Sequence, residues 1–132
     1  MSRPCPCDSK VPYDRCCGPF HAGTALPGTA ERLMRSRYAA YALGKVDYLI
    51  STLPEARRAA EDRQELLEYC RSVRCVGLKI VRRELGGEAD DTGVVTFHAS
   101  LQVNGRRHLH IETSTFAREA GRWVYVEGTV KD

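Results

Sequence analysis

The polarity pattern of the chain changes period near residue 75. Before that point apolar residues recur at helical spacing, and after it they alternate. Residues placed at about 100° intervals put Leu33, Met34, Tyr38 and Tyr41 on one face of a helix running from Thr29 to about Leu43. Thr29 is a suitable N-cap, Glu31 complements the helix dipole, and Gly44 stops the helix. Arg37 falls in the middle of the apolar face, and Arg35 falls opposite it, toward water. A guanidinium centred in an apolar stripe is costly unless it meets a carboxylate or other polar groups. Asp47 is the first candidate partner. Residues 46–50 form a short second helix or turn, ended by Pro54. Residues 55–72 read as a third helix with Ala59, Leu66, Tyr69 and Cys70 inward and a solvated face of mixed charge outward.

The second half reads as strands. Residues 75–85 place Val76, Leu78 and Ile80 on one face. Residues 93–103 give the clearest alternation, with Val95, Phe97, Ala99, Leu101 and Val103 on one side and Thr96, His98, Ser100 and Gln102 on the other. Asn104-Gly105 is a two-residue hairpin turn. The return strand, 106–117, sets His108, His110, Glu112, Ser114 and Phe116 against Leu109, Ile111, Thr113 and Thr115. The last strand, 122–130, carries Trp123, Tyr125 and Glu127 opposite Val124 and Val126. Three helices followed by a four-stranded antiparallel meander is α+β order, and the expected solution is a curved sheet wrapped on the helices.

At 132 residues the chain has room for one domain and an appendage. No apolar run approaches the roughly 18 residues of a membrane span. The net charge of +3 is mild, and Lys and Arg never run longer than two in a row. Nothing in this pattern asks for nucleic acid.

The appendage carries the chemistry. Cys5, Cys7, Cys16 and Cys17 form a C-x-C pair and an adjacent pair separated by eight residues. A turn rich in Pro, Asp and Ser can fold the pairs together and bring four sulfurs to one point, as a tetrahedral structural Zn2+ site requires. Thiolate softness favours zinc over magnesium or calcium. Two disulfides are the competing reading. They need an oxidising compartment, and no apolar signal region precedes Cys5. A C-x-x-C redox motif is absent, and the expected location is the cytoplasm. His21 could replace one sulfur. Residues 1–23 are therefore read as a zinc knuckle and 24–132 as the α+β domain, with Phe20 and Leu26 docking one onto the other. Cys70 and Cys75 are read as buried free thiols where the third helix meets the first strand.

The C-P-C-x8-C-C spacing, with Ser9 and Tyr13, resembles the SEC-C zinc-binding motif. That motif commonly has Gly-Ser-Gly where this chain has Asp8-Ser9-Lys10. A second resemblance rests on four blocks: Leu33-Met34-Arg35-Ser36-Arg37-Tyr38; Asp47-Tyr48-Leu49 with Thr52; Glu112-x-Ser114-x-Phe116; and Gly121-x-Trp123-x-Tyr125-x-x-Gly128-Thr129. Together with the knuckle these are similar to the YchJ family. The resemblance implies a nuclear-transport-factor-2-like (NTF2-like, cystatin-like) roll: N-terminal helices on a curved four-stranded antiparallel sheet, with a cone between them. The family's biochemical role is not established. Longer members add a second knuckle, and a His usually stands near Thr52, where this chain has Leu53-Pro54.

Two functions follow as expectations. The favoured one is a non-catalytic adaptor that docks a protein partner, such as the ribosome or export machinery, through the knuckle, with Arg3, Lys10 and Arg15 as a positive rim. The alternative is a small-molecule or enzymatic pocket in the cone, with Arg37, Asp47, Tyr48, His98, His110, Glu112 and Tyr125 as candidates. Glu112 with His98 would be an acid–base unit if buried together, or Glu112 would complete a structural pair with Arg37. Whether Arg37, Asp47 and Glu112 neutralise one another separates the two readings.

Overall fold

The structure, a computed structural model, describes residues 3–131. A single 3-10 turn, Tyr13–Arg15, precedes helices α1 (Gly18–Ala22), α2 (Ala30–Leu43), α3 (Val46–Ser51), α4 (Glu55–Arg58) and α5 (Arg63–Ser72). Strands β1 (Val73–Leu85), β2 (Thr92–Val103), β3 (Arg106–Glu119) and β4 (Arg122–Lys131) follow. They form one antiparallel sheet in the order β1-β2-β3-β4. Among the described residues no helix is long and apolar enough to cross a membrane.

The α2 helix is bounded as its caps dictate. The Thr29 hydroxyl accepts the Arg32 N–H at 3.1 Å, and Gly44 takes the left-handed φ of 70° that ends the helix. Leu33, Met34 and Tyr38 lay its apolar face against Leu78, Val95, Phe97 and Phe116 of the sheet. The β2–β3 hairpin turns at Asn104 and Gly105, with φ of 52° and 78° as a two-residue turn requires.

Curvature comes from irregularities that alternation did not reveal. On β1, Cys75 pairs with Leu101 and Gly77 with Ser100, so Val76 is an extra residue. On β4, Thr115 faces Glu127 and Phe116 faces Tyr125, which leaves Val126 extra. Bulges of this kind bend a strand and increase its twist. The core therefore meets Cys75, Leu78 and Ile80 on β1, not Val76, Leu78 and Ile80. Tyr38 fixes the first bulge: its hydroxyl donates to the Gly77 carbonyl at 2.8 Å and accepts the Gly77 N–H at 3.0 Å.

Three other expectations change. The helix over 55–72 is two pieces, because the Asp62 carboxylate accepts the Glu65 N–H at 3.0 Å and starts α5 afresh. Ala59 is consequently exposed and Tyr69 part-exposed with its ring against Tyr41, while Cys70 is buried and Leu66 half-buried. Arg35 does not point to water. Its Nε donates to Glu31 at 2.9 Å and its Nη1 to the Cys7 carbonyl at 2.9 Å. Leu26 docks nothing, being 62% exposed, and Pro27 beside it is buried instead.

Removing the Tyr38 hydroxyl takes a partner from both backbone groups of Gly77. Tyr38→Phe should lower stability by about 1–3 kcal/mol in urea unfolding. An unchanged midpoint would mean that the bulge does not depend on this contact.

Candidate metal centre and cavity

The N-terminal segment folds back as a small hairpin. The Cys5 N–H donates to Val11 O at 2.9 Å and the Tyr13 N–H to Arg3 O at 2.8 Å. The turn between the cysteine pairs puts Asp8 at φ 65° and Lys10 at φ 71°. These are left-handed positions that Gly would fill without strain. A contact between the two side chains, Lys10 Nζ to Asp8 Oδ1 at 2.8 Å, closes the turn.

The sulfurs of Cys5, Cys7, Cys16 and Cys17 lie within 4.8 Å of one another. Cys7 and Cys16 are 3.6 Å apart, and Cys16 and Cys17 are 4.0 Å apart. Tetrahedral zinc with bonds of about 2.3 Å places its sulfurs about 3.8 Å apart, so the cluster fits a four-thiolate ion. The thiols alone conflict. Hydrogen bonds from Cys17 and Cys5 hold Cys7 far below the ordinary thiol value, and contacts with Cys5 and Cys7 push Cys17 far above it. A cation among them would let all four ionise together.

His21 is not placed as a ligand. Its Nε2 donates to Ser36 O at 2.8 Å, which leaves Nδ1 to accept the Tyr13 hydroxyl at 2.7 Å. It therefore ties the knuckle to α2. Two more ties are Arg35 to Cys7 O and the Leu78 N–H to Asp8 Oδ2 at 3.4 Å. Cys5, Cys7 and Cys17 are buried against Ala39 of α2. The cysteine cluster thus faces the body of the protein.

Between α2, α5 and the concave face of the sheet lies a cavity of about 230 Å³. Its polar wall brings together four of the sequence candidates, Arg37, His110, Glu112 and Tyr125, with Ser114. Glu112 accepts from His110 Nε2 at 2.8 Å, from Tyr125 OH at 2.9 Å and from Ser114 Oγ. Burial alone would raise its pKa, but these three hydrogen bonds outweigh burial and hold the carboxyl below its ordinary range. Burial, followed by the Glu112 charge, pushes Tyr125 well above the usual phenol value. The Tyr125 hydroxyl keeps its proton and donates it. A carboxylate so well supplied with donors is a poor proton acceptor at neutral pH.

Arg37 has no ion-pair partner among the described residues. Its Nη1 donates to Leu49 O at 2.8 Å and to Thr52 Oγ1, and its Cζ lies 4.6 Å from the centroid of the Tyr125 ring. Burial pulls its pKa down, and nearby Tyr41, Tyr125, Tyr48 and Glu112 offset part of that.

The other candidates stand elsewhere. Asp47 is exposed and pairs with Arg63 at 2.9 Å, not with Arg37. Tyr48 bonds Ser36 Oγ at 2.6 Å, and burial raises its pKa to about 12. His98 lies on the opposite sheet face from Phe97 and Ala99, so it cannot join Glu112. The Glu112–His98 unit is replaced by Glu112–His110, two residues apart on one strand. Sequence reasoning missed Ser114, Tyr41 and Tyr69 on the cavity wall. Ser114 could have been found, since it shares the alternating face of Glu112.

The family model described as "YchJ, middle NTF2-like domain" matches residues 29–128. The chain belongs to the YchJ family. It is 39% identical over 131 residues to a UPF0225 protein from Actinobacillus succinogenes, covering 99% of this chain and 84% of that one. A SEC-C motif containing protein from Rhodopseudomonas palustris, solved in solution, superposes with a TM-score of 0.86 at 34% identity, with both chains covered completely. A second, from Psychrobacter arcticus, gives 0.82 at 26% identity over 100% of this chain and 84% of that one. The NTF2-like roll expected from the YchJ resemblance is the observed fold. The blocks that carried the resemblance converge on the polar end of the cavity: Arg37, Thr52, Glu112 with Ser114, and Tyr125 with Gly128. A Cβ at Gly128 would collide with the Glu112 carboxylate and the Tyr125 hydroxyl, so this residue is small because the pair lies directly against it.

Two measurements check this geometry. Arg37→Met leaves no charge unpaired, and Leu49 O keeps the Thr52 hydroxyl as a donor at 3.0 Å. The variant should therefore stay within about 1 kcal/mol of the parent or be more stable. A loss of about 3–5 kcal/mol, as for a broken buried pair, would show a countercharge that this geometry lacks. The Glu112 carboxyl binds its proton less tightly folded than unfolded. Its contribution to stability is therefore full above the ordinary value of 4.5 and lost as pH falls through the lowered folded value. Glu112→Gln should flatten the acid limb of a stability–pH profile. An unchanged limb would mean that Glu112 is not held ionised by His110, Ser114 and Tyr125.

Proposed function

We propose that the protein binds a small ligand in the cone, and that zinc held by Cys5, Cys7, Cys16 and Cys17 staples the N-terminal segment to the cone's outer wall. The observation that carries this reading is that Arg37 and Glu112 share a cavity wall without neutralising each other. Glu112 is supplied by three uncharged or imidazole donors, while Arg37 rests on a carbonyl, a hydroxyl and an aromatic face. An apolar cavity with a few convergent polar groups is the usual form of a ligand site. The weak basicity of Glu112 favours binding over proton transfer.

Thiolates select zinc, copper(I) or iron–sulfur, and zinc suits a closed four-thiolate set of this size. It would supply folding energy to a segment too short to hold itself. Free thiols in that number suit a reducing compartment, in keeping with a cytoplasmic protein. A second reading keeps the knuckle as a docking element for a protein partner, because Arg3, Lys10 and Arg15 all remain exposed on it.

Purified protein should carry one zinc per chain, and chelation should lower the unfolding midpoint. Metal-free protein of unchanged stability would remove the staple. For the cone, a fragment screen by ligand-observed NMR should find binders that Ala99→Leu, which fills the cavity, excludes. Binders indifferent to Ala99→Leu, or none at all, would count against the cone. Capture of a partner that depends on Arg3, Lys10 and Arg15 would favour the docking reading.

A further inference from the structure

Resting on the ligand-binding reading of the cone, we propose that its ligand is a small monocarboxylate with an apolar body, seated on the free edge of Arg37. A guanidinium has five N–H donors. Those of Nη1 are used by Leu49 O and Thr52 Oγ1. Nε and Nη2 have no hydrogen-bond partner among the described residues. No fully buried side-chain nitrogen or oxygen among those residues lacks a partner, so these two nitrogens keep an open surface. Arg37 lines the cavity, and in this reading the open edge faces into it. Arg37 itself is only 8% exposed, so its charge is out of water and turned inward.

The Nε–Nη2 edge is one of the planar forks that take a carboxylate by two parallel hydrogen bonds. Lysine at this position could not offer it. An anion there would also supply the countercharge that Arg37 lacks, in surroundings where charge pairing is strong. The ligand's charge must be single and local, because Glu112 holds a second negative charge on the same wall. That carboxylate is already supplied by His110, Ser114 and Tyr125, and the Tyr125 ring lies over Arg37. Met34, Val73, Phe97 and Leu101 form the apolar remainder. A cavity of about 150 Å³ holds benzene, so one of about 230 Å³ takes about nine or ten heavy atoms. Phenylacetate has that size and shape.

The test titrates the full zinc-loaded chain with phenylacetate, phenylacetamide and 2-phenylethylamine, which differ only in the head group, and follows backbone amides by NMR. Phenylacetate should shift the amides of β2 and β3 around Phe97 and Glu112 and bind at least tenfold more tightly than the other two. Arg37→Met should abolish that preference, and Glu112→Gln should tighten phenylacetate binding several-fold by removing the second negative charge. Equal or tighter binding of the amide or amine would overturn the carboxylate assignment and leave a ligand-binding cone. No binding of any of the three would also overturn it. In that event the fragment screen decides separately whether the cone binds ligands at all.

Discussion

Taking the Arg37 guanidinium out of water costs several kilocalories per mole, and the surrounding elements are arranged to offset that cost without a carboxylate. The α3 helix ends beside it, so that Leu49 O and Thr52 Oγ1 face its Nη1. The β4 strand carries the Tyr125 ring beneath it, and the Tyr125 N–H in turn donates to Thr52 O at 2.8 Å. A cation over an aromatic face gains about 0.5–2 kcal/mol, and hydrogen bonds from a charged group about 1.5–3 each. The compensation is partial, which is why the site is polar at one end and reads as a place for a ligand.

The helices and strands were legible where local chemistry decides them. Thr29 and Gly44 bound α2, alternation from Val95 to Val103 gave β2, and Asn104-Gly105 gave the hairpin. The break between α4 and α5 was also written, as Asp62 followed by Glu65. The charged outer face runs across this break without interruption, which hides it from a reading by periodicity. The bulges at Val76 and Val126 were not legible from alternation, and the one mark of the first was Gly77, an isolated glycine inside a strand pattern.

The site was half legible. The spacing of Cys5, Cys7, Cys16 and Cys17 pointed to the cysteine cluster directly, since the loop between the two pairs is short. Arg37 announced itself by its place on an apolar stripe, but its partners did not. Any residue can present a carbonyl, so Leu49 O has no signature, and sequence proximity points to Asp47 instead. That acid lies on the solvent side of α3, where Arg63 takes it. Pairing His98 with Glu112 failed for a geometric reason. The two stand on opposite faces of one sheet, and only strand register could reveal that.

The ties that hold the knuckle differ greatly in reach along the chain. The sulfurs close a loop in which Cys7 and Cys16 are nine residues apart, whereas His21 meets Ser36 across 15 residues, Cys7 meets Arg35 across 28 and Asp8 meets Leu78 across 70. Closing a short loop fixes little chain, and longer closures wait for the elements they join. The assembly therefore has a natural order. The cysteine loop can close within its own segment, α2 meets it through His21 and Arg35, and a finished β1–β2 ladder offers the Leu78 amide. The knuckle is local in its own making and among the last parts of the molecule to be seated.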